Sequence, residues 1–210
     1  MRSRPRKECC KWSASLITAW ATSSPCAPPS PPSAKEAFVS GDATELAKAD
    51  RLILPGVGAF GDAAQKLRDS GLDAFVKEQA AAGKPLMGIC LGMQLLFEKS
   101  YEYGEHEGLG LLKGQVVGMN GRLPTELKIP HMGWNALQLT KTAKLLEEGS
   151  YVYFVHSFYA ENCEASIAAV TDYGIPITAA VESRNIFGCQ FHPEKSGNVG
   201  LEILRKFCEV

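Results

Sequence analysis

The chain has 210 residues, a formal net charge of −1, 45% hydrophobic and 21% charged residues. That length suits one α/β domain of ordinary soluble composition. The balanced charge gives no footprint for nucleic acid or an anionic membrane as partner, and no apolar run approaches the roughly 20 residues that span a bilayer. Seven cysteines occur, at Cys9, Cys10, Cys26, Cys90, Cys163, Cys189 and Cys208. Their odd number, irregular spacing and lack of a Cys-x-x-Cys pair argue against a disulfide framework or a zinc site. A reducing, cytoplasmic setting is the simpler reading, and no cofactor is expected.

Residues 1–36 differ in character from the rest. Arg2, Arg4, Arg6 and Lys7 make a basic start, and Leu16-Ile17-Thr18-Ala19-Trp20 is too short an apolar stretch for a targeting signal. Pro25 to Ser33 is rich in proline and serine, without helix or strand periodicity, and is expected to be irregular.

From residue 37 strand-like and helix-like segments alternate. Ala37–Ser40 and Arg51–Leu54 read as strands, and Glu45–Ala49 as a helical turn between them. Pro55-Gly56-Val57-Gly58 ends the second strand. Asp62–Ala82 shows apolar residues near helical spacing, with Gly83 as its C-cap. Leu86–Ile89 reads as a strand and Met93–Glu98 as the helix after it. Short β-type runs follow at Gln115–Val117, Tyr151–Val155, Ile167–Val170 and Ile177–Val181, then a buried strand over Ile186–Phe191 and a closing helix over Leu201–Phe207. This order predicts an open, mainly parallel α/β sheet with helices on both faces and antiparallel additions at one edge.

Two motifs carry chemistry. In Gly88-Ile89-Cys90-Leu91-Gly92-Met93-Gln94 a cysteine stands at a strand-to-helix junction, with glycine two residues away on each side. This is the nucleophile-elbow pattern with sulfur as the nucleophile. The helix N-terminus that follows favours the thiolate. In Gly188-Cys189-Gln190-Phe191-His192-Pro193-Glu194-Lys195 a histidine follows a strand and is joined to a carboxylate. His192 can take and return a proton, and Glu194 can orient its imidazole. In open α/β sheets active groups gather at the carboxyl ends of strands, so Cys90 and His192 can meet despite their separation. Oxyanion donors are expected from the Leu91 N–H and from the Val57–Gly58 region of the Pro-Gly-Val-Gly turn.

This combination resembles the class I, triad-type glutamine amidotransferases, a flavodoxin-like α/β family. Three further stretches are similar to the glutaminase subunits of imidazole glycerol phosphate synthases: Leu54–Ala63, Pro130-His131-Met132-Gly133-Trp134-Asn135 and Tyr153-Phe154-Val155-His156-Ser157-Phe158-Tyr159. The resemblance covers residues 37–210. It implies hydrolysis of glutamine through a γ-glutamyl thioester on Cys90, with His192 and Glu194 completing the triad. It also implies a (β/α)8-barrel cyclase partner that receives the ammonia. On the same pattern Gly56, Gln94, His156, Ser157 and Phe158 bind glutamine, while Met132, Trp134, Asn135 (read as a loop) and Lys195 face the cyclase. Alternatives are another class I amidotransferase, a γ-glutamyl cysteine hydrolase of the same fold, and a catalytically impaired binding subunit.

The family opens with a strand and an Asp-Tyr-Gly-Met-Gly-Asn-Leu turn, which this chain lacks. Codons chosen for Leu16–Ser23 can encode Asp-His-Gly-Met-Gly-Asn-Leu in a neighbouring frame. Residues 1–36 are therefore read as a non-family segment arising from a frame error upstream of about Lys35, with the usual first strand missing or replaced.

Overall fold

The computed structural model describes residues 36–210 together with the backbone of 17–21. The basic start and the Pro25–Ser33 tract lie outside the described residues.

The first half is built from β1 (Ile17–Ala21), β2 (Glu36–Ser40), α1 (Ala43–Ala47), β3 (Arg51–Gly56), α2 (Phe60–Asp69), α3 (Leu72–Ala81), β4 (Leu86–Cys90) and α4 (Leu91–Gln94). Short strands β5 (Lys99–Ser100) and β6 (His106–Glu107) follow. After them come β7 (Gln115–Gly118), β8 (His131–Ala136), β9 (Gln138–Leu139), β10 (Tyr151–His156) and β11 (Phe158–Glu161). The chain closes with β12 (Ile167–Asp172), β13 (Pro176–Ser183), β14 (Ile186–Cys189) and α5 (Gly197–Phe207).

The main sheet has eight strands in the order β2-β1-β3-β4-β14-β13-β12-β9. Its centre, β3-β4-β14, is parallel, and every pairing from β14 outward to β9 is antiparallel. The antiparallel additions are thus the ones expected at that edge. β1 fills the slot between β2 and β3 but runs antiparallel to both.

The central strands are apolar throughout because both faces are covered. On β3, Leu52 and Leu54 join one core with Phe60, Leu67, Leu72 and Val76 of α2 and α3. Ile53, between them, joins the opposite core with Phe154, Phe191, Ile203 and Phe207. Leu86 and Met87 of β4 divide in the same way. A buried parallel strand reads as a continuous hydrophobic run for this reason.

Three expected elements take a different form. The helix expected over 62–82 is two helices, parted at Gly71, whose φ of 71° lies in the left-handed region that glycine reaches without a Cβ penalty. The helix expected over 93–98 is a single turn that starts at Leu91, directly after the cysteine. The stretch 132–135, expected as a loop, lies within strand β8. β8 pairs with β10 in a two-stranded sheet, and β11-β7-β5-β6 form a third, four-stranded sheet.

Candidate active site

β4 ends on Cys90, which adopts φ 53° and ψ −111°. A non-glycine residue pays about 1–3 kcal/mol for such a conformation. The surrounding packing holds it there. A Cβ on Gly92 would lie 1.8 Å from the Leu54 carbonyl oxygen of β3, and one on Gly88 would lie 2.6 Å from backbone atoms of Met93. The helix turn can sit this close to the sheet only with glycine at both places. The result aims the sulfur upward at the carboxyl end of β4, with 9% of Cys90 exposed.

β14 is parallel to β4, so the segment after it reaches the same end of the sheet. His192 N–H donates to the Tyr153 carbonyl at 2.9 Å, and Ser196 Oγ donates to the His192 carbonyl at 2.7 Å. These bonds tie the histidine loop to β10. Pro193–Lys195 form a 3₁₀ turn that brings Glu194 back under the imidazole. His192 Nδ1 meets Glu194 Oε1 at 2.7 Å, and the Cys90 thiol group is near enough to act on the ring's charge. Burial pulls the His192 imidazole down. The Cys90 and Glu194 contacts outweigh it and raise the group to about 9. Burial likewise pushes Glu194 up, but the His192 N–H and charge hold its carboxyl below the usual value.

Cys90 and His192 line a cleft of about 340 Å³ together with Val57, Gly58, Leu91, Gln94, His156, Ser157, Phe158 and Lys195. Ten residues singled out from the sequence thus share one wall system. Gly56 does not line it; a Cβ there would sit 2.8 Å from the Gly92 nitrogen, so this glycine lets β3 pack against α4. Gly58 has φ 98° with open space around its Cβ position, and Val57 is 55% exposed at the rim. Gln94 is buried and donates through Nε2 to the Phe158 carbonyl at 3.0 Å and to Gln190 Oε1 at 2.9 Å.

Met132 and Trp134 lie outside the cleft, 60% and 52% exposed on β8. Trp134 packs edge-on to Tyr153, whose ring lies under the Lys195 ammonium at 6.0 Å. The apolar strip therefore adjoins the cleft mouth. Asn135, expected at that surface, turns its amide inward to His131 Nε2 at 2.9 Å.

Sequence reasoning did not single out Glu102, Tyr103 and Val155, which also line the cleft. Val155 lies inside the Tyr153–Tyr159 stretch but had no role assigned to it. Glu102 and Tyr103 sit in a turn without periodicity or motif, so nothing local marked them. Glu102 Oε2 accepts from Phe60 N–H at 2.6 Å at the start of α2, and burial raises its carboxyl. Gln190 was within a quoted motif without a role; its Nε2 lies 3.7 Å from Cys90 Sγ. Cys163 and Cys189 are buried and unbridged, with thiols pushed up by burial, Cys163 to about 11. Among the described residues no cluster suits a metal ion, and no helix is long and apolar enough to cross a membrane.

The model of the glutamine amidotransferase class-I family matches residues 33–210. The imidazole glycerol phosphate synthase subunit HisH of Wolinella succinogenes is 52% identical over 180 residues, covering 83% of this chain and 88% of that protein. The HisH subunit of Caldanaerobacter subterraneus subsp. tengcongensis is 51% identical over 179 residues, covering 83% and 86%. Among solved structures, a glutamine amidotransferase superposes with a TM-score of 0.61 at 20% identity, covering 80% of this chain and 82% of the other. PurLQS from Thermotoga maritima gives 0.56 at 21%, covering 77% and 80%, a likeness of fold alone. With a nucleophile elbow, a His-Pro-Glu turn and relatives at half identity over most of its length, this chain belongs to the class I glutamine amidotransferases, among the HisH subunits.

Proposed function

We propose that the chain hydrolyses glutamine to glutamate and ammonia and passes the ammonia to a cyclase subunit in histidine biosynthesis, in the cytoplasm. The juxtaposition of Cys90 and His192 in one cleft, with Glu194 bonded to the imidazole, carries this reading. The Cys90 sulfur adds to the side-chain amide carbon of glutamine. The Leu91 N–H and a peptide N–H of the Val57–Gly58 turn receive the oxyanion. His192 gives its proton to the amide nitrogen, the C–N bond breaks, and ammonia leaves a γ-glutamyl thioester. His192 then accepts a proton from water, which attacks the thioester and releases glutamate and the thiol. Glu194 keeps the imidazole oriented and supports its charge.

Gln94, His156, Ser157 and Phe158 form the wall that holds the substrate. Glu102 adds a carboxylate suited to an α-ammonium group. The relatives named as synthase subunits support a (β/α)8-barrel cyclase as partner. The exposed strip of Met132 and Trp134, with Lys195 at the cleft mouth, is the proposed docking face. Ammonia and glutamate are measured with the full chain, with and without a cyclase subunit and its nucleotide. Wild type is expected to be slow alone and faster in the complex, and Cys90→Ala to lose at least about 10³-fold in turnover. Undiminished glutamine hydrolysis by Cys90→Ala overturns the assignment.

The reversed direction of β1 favours a second reading, an impaired binding subunit. Stoichiometric labelling of Cys90 by an electrophilic glutamine analogue separates the two, because only a working site activates the thiol.

A further inference from the structure

β8 and β10 pair antiparallel with His131 directly opposite His156. The two rings meet, with His131 Nδ1 lying 3.1 Å from His156 Nε2. His131 is fully buried and His156 is 6% exposed. The His131 ring is sandwiched between Phe154 and Tyr173, at centroid distances of 4.8 and 4.0 Å. This packing leaves its two nitrogens only in-plane partners. His156 Nδ1 in turn reaches the Phe158 carbonyl at 2.8 Å, the carbonyl that also accepts from Gln94. Gln94 donates to Gln190, and Gln190 Nε2 points to the Cys90 sulfur. One hydrogen-bonded line thus joins the strand of Met132 and Trp134 to the nucleophile, and the triad chemistry makes no use of its first member.

The protons along this line can be assigned. A carbonyl only accepts, so His156 donates through Nδ1. Burial pushes both imidazoles down, His156 to about 3, so both are neutral near pH 7. His156 Nε2 is then an acceptor, and His131 must donate to it through Nδ1. His131 Nε2 then accepts in its turn, which requires the Asn135 amide to turn over, presenting Nδ2 to the ring and giving up its solvent-exposed bond to the Asp172 carbonyl. An exposed carbonyl finds water instead, whereas a buried ring nitrogen does not.

We propose that His131 is a positioning residue for the cleft: its Nδ1–H fixes the His156 tautomer that holds the Phe158 carbonyl, and so sets the wall against which the substrate lies. The proposal rests on the glutaminase reading for its kinetic part only.

The full chain is labelled with [15N]histidine, and its four histidines are followed at pH 7 by long-range 1H–15N spectra. Both His131 and His156 are expected to show a protonated Nδ1 and a bare Nε2; an Nε2–H on either ring overturns the proposal. Glutamine kinetics are then compared for wild type, His131→Leu and His131→Asn. Leucine removes the donor, while the asparagine amide keeps an N–H near the Nδ1 position. His131→Leu is expected to raise KM by about fivefold, the worth of one lost hydrogen bond, with kcat little changed. His131→Asn is expected to restore most of the loss. Equal KM values in all three proteins overturn the proposal, and so does a leucine variant that the asparagine variant does not improve on. If wild type hydrolyses no glutamine, the functional reading fails while the spectra still decide the tautomer. The wild-type spectra decide it equally if His131→Leu does not fold.

Discussion

Cys90 holds its strained φ of 53° because the elbow is braced from both sides by close backbone contacts. Its partner His192 is buried among groups that favour the imidazolium, and this makes the pair sensitive to pH in a defined sense. The His192 value is raised from 6.5 to about 9, so its stabilising contribution is complete below 6.5 and is lost as pH rises through about 9. Glu194 is held below its ordinary 4.5, so its contribution is present above that value and fades as acid protonates it. Glu194→Gln removes one of the groups that raise His192. We expect the alkaline loss of stability, followed by denaturant unfolding between pH 6 and 10, to begin about one pH unit lower in the variant. The fall in glutamine turnover at high pH should move with it. At this scale the sequence is most readable where short spacing encodes geometry. The Gly-x-Cys-x-Gly bracket and His-Pro-Glu each name their own fold-back. Glu102 reaches the cleft from a turn with no such spacing, so only the tertiary path reveals it.

The elements that deliver these residues depend on how closely α4 lies over β3 and β4. Gly92 is the tightest point, with the Leu54 carbonyl 1.8 Å from any added Cβ. Gly92→Ala must push the helix turn off the sheet. It is expected to cost about 3 kcal/mol or more in an unfolding titration, with loss of Cys90 reactivity toward alkylating agents. Such junctions were visible as motifs, whereas β8 was not visible as a strand. Its pattern is inverted. The inward residues are His131 and Asn135, which bond to one another, and the outward residues are Met132 and Trp134. Alternation rules place apolar side chains inside, so a strand with a polar lining and an apolar outside reads as a loop. The break between α2 and α3 escaped notice for another reason. Apolar residues at helical spacing continue on both sides of Gly71, and only its left-handed φ ends the first helix.

Two apolar cores, one on each face of the central sheet, leave a third apolar surface uncovered. Val57, Met132, Trp134 and Tyr151 are each more than half exposed. A tryptophan at the centre of an interface commonly contributes 2 kcal/mol or more to binding. Trp134→Ala is therefore expected to weaken association with the proposed cyclase by about 30-fold. The thermal midpoint of the isolated chain should stay within about 2 °C, because so exposed a ring packs little of the core. Isothermal titration and a thermal melt together check both halves of this expectation; a large drop in midpoint with unchanged affinity makes Trp134 a folding residue instead. The layered architecture was legible because buried parallel strands and their intervening helices follow one rhythm. The slot beside β3 was not, because the residues that fill it lack the family's opening motif.

Ile17 stands level with Ser40, and Thr18 with Ile53, so the reversed β1 has its first residue toward the end of the sheet where β3 runs out into Gly56. The polypeptide enters the catalytic rim through that residue and departs from it, where a strand of the opposite sense would arrive there last and crown the rim with its ensuing turn. Within this strand Ile17 is therefore the position nearest the mouth, and a substitution at Ala21 falls at the far pole, out of the substrate's way.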